Sequence, residues 1–347
     1  MKNIAKPDSP SNTKLLTSRR QTLQAIGLTA AAFSPWSALS QTSGLPVDQV
    51  KIICGFPAGG TADITSRRVG DRIAASNYTR NSVVVENKTG AGGRIAIEAV
   101  KNAPADGSTL LLSAYSMMLI YPHIYKSLSY DPFKDFAPVA TASVLSHGLA
   151  VGPMVPSSVK NVKDFLSWCK ANPDRANYAS PAAGSTPHFL GAMLSLNSAV
   201  AMQHVAYRGS VPGVTDVVGG QIAAMFTPHG DFLANHRAGK LRILATSGKA
   251  RSPFVTEVPT FAEQGFADLT VEEWFGFFAP AKTPANIVNA ANASINQALK
   301  DKALVDGLGL MGLQTYGGSI EDMAKDMRRL YEYWGPIVKR IGFTAES

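Results

Sequence analysis

Cysteine is scarce in this chain of 347 residues, which contains only Cys54 and Cys169. Two cysteines cannot build a disulfide scaffold, and they form no CxxC pair. The six histidines show neither HxH nor HExxH spacing, so a structural zinc site is not expected. Because one cysteine falls in a predicted strand and the other in a predicted helix far downstream, we interpret both as buried free thiols. We expect no metal and no cofactor.

Long hydrophobic runs and clustered charge are also missing. No apolar run reaches the roughly 18 residues that a membrane-spanning helix needs, which excludes a span in the body of the chain. Residues 1–40 supply +4 of the net charge of +8, from five basic residues and one aspartate, and the remaining charge is spread evenly. A nucleic-acid partner is not expected, since its binding surface would concentrate basic residues. The apolar content of 45% excludes wholesale disorder, and the length suits two α/β domains.

Residues 1–40 have the pattern of a cleaved export signal. Arg19 and Arg20 precede a short apolar stretch at 25–33, and small residues close the segment. A basic start, a short apolar region and small residues at the cleavage site are typical of such signals. The paired arginines favour the twin-arginine route, although Thr22 replaces the usual large apolar residue, and an ordinary secretory signal is the alternative. The sequence therefore predicts a periplasmic protein.

The body of the chain alternates strands and helices. Predicted strands at 50–54, 83–85 and 109–113 are separated by helices at 64–75 and 95–101. This order predicts a parallel sheet with right-handed crossovers. A second series of the same kind follows downstream, and the C-terminus is helical. We therefore predict an α/β protein of two lobes with parallel-core sheets and helices on both faces.

Two segments, 139–151 and 269–279, are the predicted crossings between the lobes. The chain would build the first part of lobe 1 at 41–144, lobe 2 at 145–268, and then return to lobe 1 with C-terminal helices at 269–347. Two crossings make a hinge, and a hinge between α/β lobes leaves a cleft at the carboxyl ends of the strands.

Glycine-rich turns open four predicted helices, at 56–63, 90–93, 184–188 and 209–213. Glycine lets the backbone approach a ligand closely, and free N–H groups at a helix start favour an anion. Together the turns suit a carboxylate, although any one of them is also compatible with simple tight packing. No lysine follows the glycines, so a nucleotide phosphate loop is disfavoured.

The turn FPAGGTAD at 56–63, followed by Arg67, resembles the signature of the Bug family, the extracytoplasmic solute receptors of tripartite tricarboxylate transporters. Further agreement follows in order: GAGG at 90–93, PADGSTL at 104–110, NYAS at 177–180, GSTPH at 184–188, HVAYRG at 204–209, VPT at 258–260 with Glu263, and WFG at 274–276 before Ala279 and Pro280. The resemblance implies a type II periplasmic-binding-protein fold that closes on a small carboxylate held by the first two turns, often through ordered waters.

The resemblance also implies which residues contact the ligand. The first turn contributes Phe56, Ala58, Gly59, Gly60, Thr61 and Asp63. The amides of Ala58, Gly59 and Gly60 would face the ligand carboxylate. Asp63 would repel an anion, so we expect it to fix the loop or to meet a ligand donor. From lobe 2, Ser185 and Thr186 would offer hydroxyl or N–H donors, unless they only cap a helix. The other candidates are Gly92, Gly93, Arg94, Tyr115, His188 and Arg208.

Two departures from the family pattern bear on the choice of ligand. Arg94 at a helix start could hold a second carboxylate in bidentate fashion, against the alternative of a solvated surface arginine. Tyr115, Met117 and Met118 could line an apolar pocket suited to an aromatic acid, unless they belong to the core.

No feature requires an enzyme. There is no GxSxG motif, no histidine has an evident nucleophile beside it, and a structural role is favoured for His188. Glu272 and Glu273 are adjacent in a predicted strand and would therefore point to opposite faces. We expect a monomeric, non-catalytic receptor that delivers a small carboxylate to the membrane subunits of a tripartite tricarboxylate-type transporter. The alternatives are a sensor that feeds a signalling partner and an exported hydrolase or lyase that uses His188 or His204.

Overall fold

The computed structural model describes residues 47–74 and 76–345. The predicted export signal at 1–40 lies outside the described residues. Within the described part of the chain, no helix combines the length and the apolar character needed to cross a bilayer.

The strands, in chain order, are β1 Lys51–Cys54, β2 Val84–Asn87, β3 Thr109–Ala114, β4 Phe136–Val151, β5 Asn177–Ser180, β6 Gln203–Ala206, β7 Ala224–Pro228, β8 Arg242–Thr246, β9 Glu272–Pro280 and β10 Gln314–Gly317. The α-helices are α1 Thr61–Ile73, α2 Arg94–Lys101, α3 Tyr115–Leu119, α4 Tyr121–Ile124, α5 Val162–Ala171, α6 Thr186–Ser198, α7 Ser210–Val218, α8 Leu233–Arg237, α9 Ala285–Ala298, α10 Lys302–Gly309 and α11 Ile320–Ile341.

The strands form one mixed sheet in the order β2-β1-β3-β9-β4-β7-β5-β6, with β8 and β10 also paired to β4. The flanks are parallel, as the alternation of strands and helices predicts: β1 pairs with β2 and β3, and β5 pairs with β6 and β7. The middle is antiparallel, because β9 runs opposite to β3 and β4, and β4 runs opposite to β7. The alternation did not indicate this central part.

The long strand β4 joins the two flanks. Its first part, up to Ser146, pairs with β9, and from His147 onward it pairs with β7. Both β4 and β9 are almost fully buried apolar strands, as expected for the centre of a sheet covered on both faces. The predicted crossing segments are therefore extended strands, whereas the lobe limits 41–144, 145–268 and 269–347 stay a prediction.

The core buries both cysteines and one face of the C-terminal helix. Cys54 and Cys169 are buried free thiols, as predicted, and burial raises their pKa to about 11 and about 12. Such thiols are unreactive, since the thiolate is the nucleophile. Helix α11 buries one apolar stripe, as its spacing indicates: Met323, Met327, Leu330, Trp334 and Val338.

Candidate ligand-binding cleft

A narrow cavity lies where the parallel strands β1, β3, β5 and β7 end, in front of the first turns of α1, α6 and α7. Open α/β sheets place their ligand sites at this edge. Its lining residues are Phe56, Gly60, Thr61, Ala62, Ala114, Ser116, Met117, His147, Pro181, Ser185, Pro187, Ser210, Thr227, Pro228, Asp231, Glu273 and Phe275. Its volume of about 40 Å³ holds a few water molecules, so an acid of several carbons requires movement of the walls.

Asp63 holds the turn between β1 and α1 in shape. Its carboxylate accepts hydrogen bonds from the amide of Gly59 at 2.9 Å, from Nε of Arg67 at 3.0 Å and from Nδ2 of Asn87 at 2.9 Å. Burial raises the pKa of Asp63, but these donors outweigh it and hold the pKa below its usual range. The contacts favour the loop-fixing role over contact with a ligand.

Two of the predicted donors of this turn are not available to the cavity. The amide of Gly59 is engaged by Asp63, and Ala58 is exposed at the surface outside the lining. Gly60 is buried and lines the cavity, as do Phe56 and Thr61. The residues of this turn that line the cavity are therefore those next to α1, and Ala58 and Gly59 in the middle of the turn do not line it.

A carboxylate of the protein already occupies the start of α1. Asp231 follows β7 and accepts the amide of Thr61 at 3.0 Å through Oδ1 and the hydroxyl of Thr227 at 3.0 Å through Oδ2. Burial raises the pKa of Asp231 above its usual range, although the hydrogen bonds from Thr61, Ser210 and Thr227 oppose this. The first-turn amides of Ala62 and Asp63 also have no acceptor within the helix, and Ala62 lines the cavity.

The start of α6 contributes Ser185 to the cavity. Ser185 is 1% exposed, and its hydroxyl donates to the carbonyl of Ala182 at 2.7 Å, so its side chain stabilises the turn. Thr186 is fully buried outside the lining. Pro187, at the second helical position, closes the wall on this side.

His188 lies behind this turn as a structural residue. Its Nδ1 accepts the amide of Gly184 at 3.0 Å, and its ring stacks on His204 with centroids 3.8 Å apart. Ser180 donates its hydroxyl to Ala182 and therefore accepts from Nε2 of His204 at 2.7 Å. Burial lowers the pKa of His188 to about 3 and that of His204 to about 4. Both rings are neutral at physiological pH, and neither lines the cavity.

The second glycine turn packs behind the first and does not line the cavity. A Cβ atom on Gly55 would lie 2.9 Å from Cα of Gly93, and the carbonyl of Gly92 accepts the hydroxyl of Tyr121 at 2.9 Å. The glycines thus permit close backbone packing, which is the alternative that the sequence left open for each turn.

The remaining candidates also lie outside the lining. The guanidinium of Arg94 lies 4.2 Å from the ring centre of Tyr125 and donates to Ala91, so the predicted clamp on a second carboxylate is not in place. Tyr115 is fully buried and accepts Nε1 of Trp334 at 3.2 Å, as a core residue would. Arg208 is exposed.

Sequence reasoning missed three ionisable side chains of the lining: His147 on β4, Asp231 after β7, and Glu273 on β9. Glu272 is exposed and Glu273 is 3% exposed, which confirms that the adjacent pair points to opposite faces. The available signal was a glutamate on the buried face of an otherwise apolar strand. Among the described residues, no group of three or more His, Cys, Asp or Glu is arranged to hold a metal ion.

Comparisons with known proteins identify the family and the fold. The family model described as "Tripartite tricarboxylate transporter family receptor" matches residues 67–343. The protein BugT of Bordetella pertussis is 31% identical over 324 residues, covering 92% of this chain and 97% of BugT.

Two solved structures share the fold. MatC of Rhodopseudomonas palustris, solved with bound malate, is 26% identical with a TM-score of 0.79, over 85% of this chain and 100% of MatC. A second R. palustris protein, solved with adipate, is 29% identical with a TM-score of 0.81, over 86% of this chain and 98% of that protein. These similarities establish the periplasmic-binding-protein fold. The chain belongs to the family of tripartite tricarboxylate transporter receptors, which includes the Bug proteins.

Proposed function

We propose that this protein is a periplasmic receptor, exported by the twin-arginine route, that captures a small carboxylate and delivers it to the membrane subunits of a tripartite tricarboxylate-type transporter. Family membership supports the partner, and the relatives solved with malate and adipate support the ligand class. The observation that carries the proposal is the start of α1, where a carboxylate, that of Asp231, already accepts a helix-start amide.

The ligand carboxylate binds beside Asp231, at the first-turn amides of α1 that face the cavity. The dipole of a 13-residue helix and its free N–H groups favour a negative charge there. Ser185 and Ser210 line the same cavity at the starts of α6 and α7, on the second flank of the sheet. A ligand that contacts residues of both flanks stabilises the closed arrangement, and closure is then a population shift that a membrane partner recognises.

The role is binding without turnover. Nδ1 of His188 accepts the amide of Gly184, and Nε2 of His204 donates to the hydroxyl of Ser180. Both rings lie outside the cavity. Neither ring is placed to act as the base of a hydrolase or lyase.

Removal of one helix-start amide tests the carboxylate site. Ala62→Pro deletes the N–H at the second position of α1, where proline is compatible with the helix. Calorimetry of the purified protein against mono-, di- and aromatic carboxylates should identify a ligand. Its affinity should fall about tenfold or more in A62P, because a hydrogen bond to a charged group contributes about 1.5–3 kcal/mol.

Ala303→Pro is the matched control. Ala303 holds the same position in α10 and is exposed. A303P should keep the wild-type affinity. Equal affinities in A62P and A303P, or the absence of binding by any carboxylate in the panel, would contradict the proposed site.

A further inference from the structure

The back wall of the cavity contains a buried carboxylate in contact with a buried imidazole. Glu273 on β9 is 3% exposed and His147 on β4 is fully buried. Oε2 of Glu273 lies 2.9 Å from Nε2 of His147, and Oε1 accepts the amide of Ser116 at 3.0 Å. Both residues are among those that line the cavity.

The contact leaves the pair incompletely satisfied. Within the described part of the chain, neither ring nitrogen of His147 makes a hydrogen bond of acceptable geometry, so the 2.9 Å approach is not an in-line N–H···O bond. Among the described residues, Glu273 accepts one hydrogen bond, from the amide of Ser116, and the ring N–H of His147 has no acceptor. Buried polar groups with too few partners are costly in a site removed from water.

The charges of the residues that line the cavity also favour a positively charged group on the ligand. No lysine or arginine is among the lining residues, whereas the carboxylate of Glu273 lies at the back wall. A second carboxylate on the ligand would meet like charge and no cation at this wall. A group that donates hydrogen bonds and carries positive charge would pair with Glu273.

We propose that His147 and Glu273 select ligands that carry an ammonium group, or a protonated ring nitrogen, in addition to the carboxylate. The ammonium donates to Oε2 of Glu273 and lies beside the ring of His147, whose nitrogens make no hydrogen bond among the described residues. Large apolar side chains also line the cavity, Phe56, Met117 and Phe275 among them, so the body between the two charges is a hydrocarbon or an aromatic ring. This inference rests on the proposed carboxylate-receptor function and names its ligand class: zwitterionic amino acids, with the amino group near the carboxylate or at the far end.

A matched ligand series tests the selection. Pentanoate, 2-aminopentanoate, 5-aminopentanoate and glutarate share a five-carbon chain and differ in the added group, and 3-phenylpropanoate with phenylalanine forms an aromatic pair. In calorimetry, at least one amino compound should bind about tenfold or more tightly than its parent acid, since charge-assisted hydrogen bonds are the strong ones. Glutarate should bind no more tightly than pentanoate.

Glu273→Gln should reduce the ratio of the two affinities, that of the amino compound over that of its parent acid, to about threefold or less. The parent acid itself should still bind. Glu272→Gln is the matched control, because Glu272 is the exposed neighbour on the other face of β9, and it should keep the wild-type ratio. If E273Q no longer binds the parent acid, the second variant His147→Asn tests the selection instead. H147N should lower the same ratio of affinities several-fold.

The outcomes separate this inference from the proposed function. Parent acids or glutarate that bind as tightly as the amino compounds, or a ratio unchanged in both E273Q and H147N, overturn the ammonium site and leave the carboxylate receptor intact. Failure of every compound to bind, with or without an amino group, overturns the receptor function and this inference with it.

Discussion

His188 and His204 show how one pair of side chains makes stability depend on pH. Both rings are stacked in the core of the second flank, and burial keeps their pKa at about 3 and about 4 against an ordinary value of 6.5. The unfolded chain therefore binds protons that the folded protein does not. The contribution of the neutral pair is fully present above pH 6.5 and is lost as the pH falls from about 6.5 to about 3.

Replacement of His204 by asparagine should weaken this pH dependence. His204 has a lowered pKa in the folded protein, so the unfolded chain binds nearly one proton more at this residue. Its loss should remove about 1 kcal/mol from the change in unfolding free energy between pH 6 and pH 5. Urea denaturation of wild type and H204N at both pH values measures it. His236→Gln is the control, because the His236 side chain is 19% exposed and lies beside Glu257, apart from the stacked pair, and a pH dependence lowered equally by H236Q would refute the assignment to that pair.

At the scale of elements, the turn before α1 and the turn before α7 are in direct contact. Gly209 has a φ of 101°, and a Cβ atom there would lie 2.3 Å from Cδ of Pro57. A Cβ atom on Gly60 would lie 3.1 Å from Oγ of Ser210. The glycines therefore let two helix starts approach each other across the cavity.

Gly209→Ala should push these two turns apart. Gly318 is the matched control, because its φ is 106° and nothing lies within 4 Å of the added Cβ atom. An alanine is strained at both positive φ values, by about 1–3 kcal/mol. G209A should lose a further 1–3 kcal/mol or so of unfolding free energy through overpacking, measured by urea denaturation. Equal losses in G209A and G318A would show that the contact with Pro57 contributes nothing.

At the scale of the whole molecule, Asp231 connects the two flanks of the sheet. It follows β7 on one flank and accepts the amide of Thr61, where α1 begins on the other. If the predicted lobes hinge about β4 and β9, this contact stabilises the closed arrangement that encloses the ligand.

Asp231→Ala should shift the protein towards a more open arrangement. The radius of gyration of the unliganded protein in small-angle X-ray scattering should rise, and the unfolding free energy should fall by about 1.5–3 kcal/mol. Asp268→Ala, which alters an exposed aspartate, serves as the control and should change neither quantity. An unchanged radius in D231A would argue against a hinge held by this residue.

The candidate site divides into residues that sequence could find and residues that it could not. Phe56, Gly60, Thr61 and Ser185, which the family resemblance implies as ligand contacts, line the cavity. Arg94 and Tyr115, assigned to the ligand as departures from the family pattern, contact Tyr125 and Trp334. A sequence motif does not determine which way a side chain points once its turn packs against others.

The sequence by itself determined the parallel flanks and the helix starts, because strand and helix periodicity and glycine turns are local properties of the backbone, and its motifs carry the resemblance to the family. Only the tertiary structure decided that β4 and β9 form an antiparallel centre and that His147, Asp231 and Glu273 meet in one cavity. These residues are far apart in the chain, and their contact depends on long-range strand pairing. The charge of the cavity, and with it the class of ligand, is therefore a property of the assembled sheet.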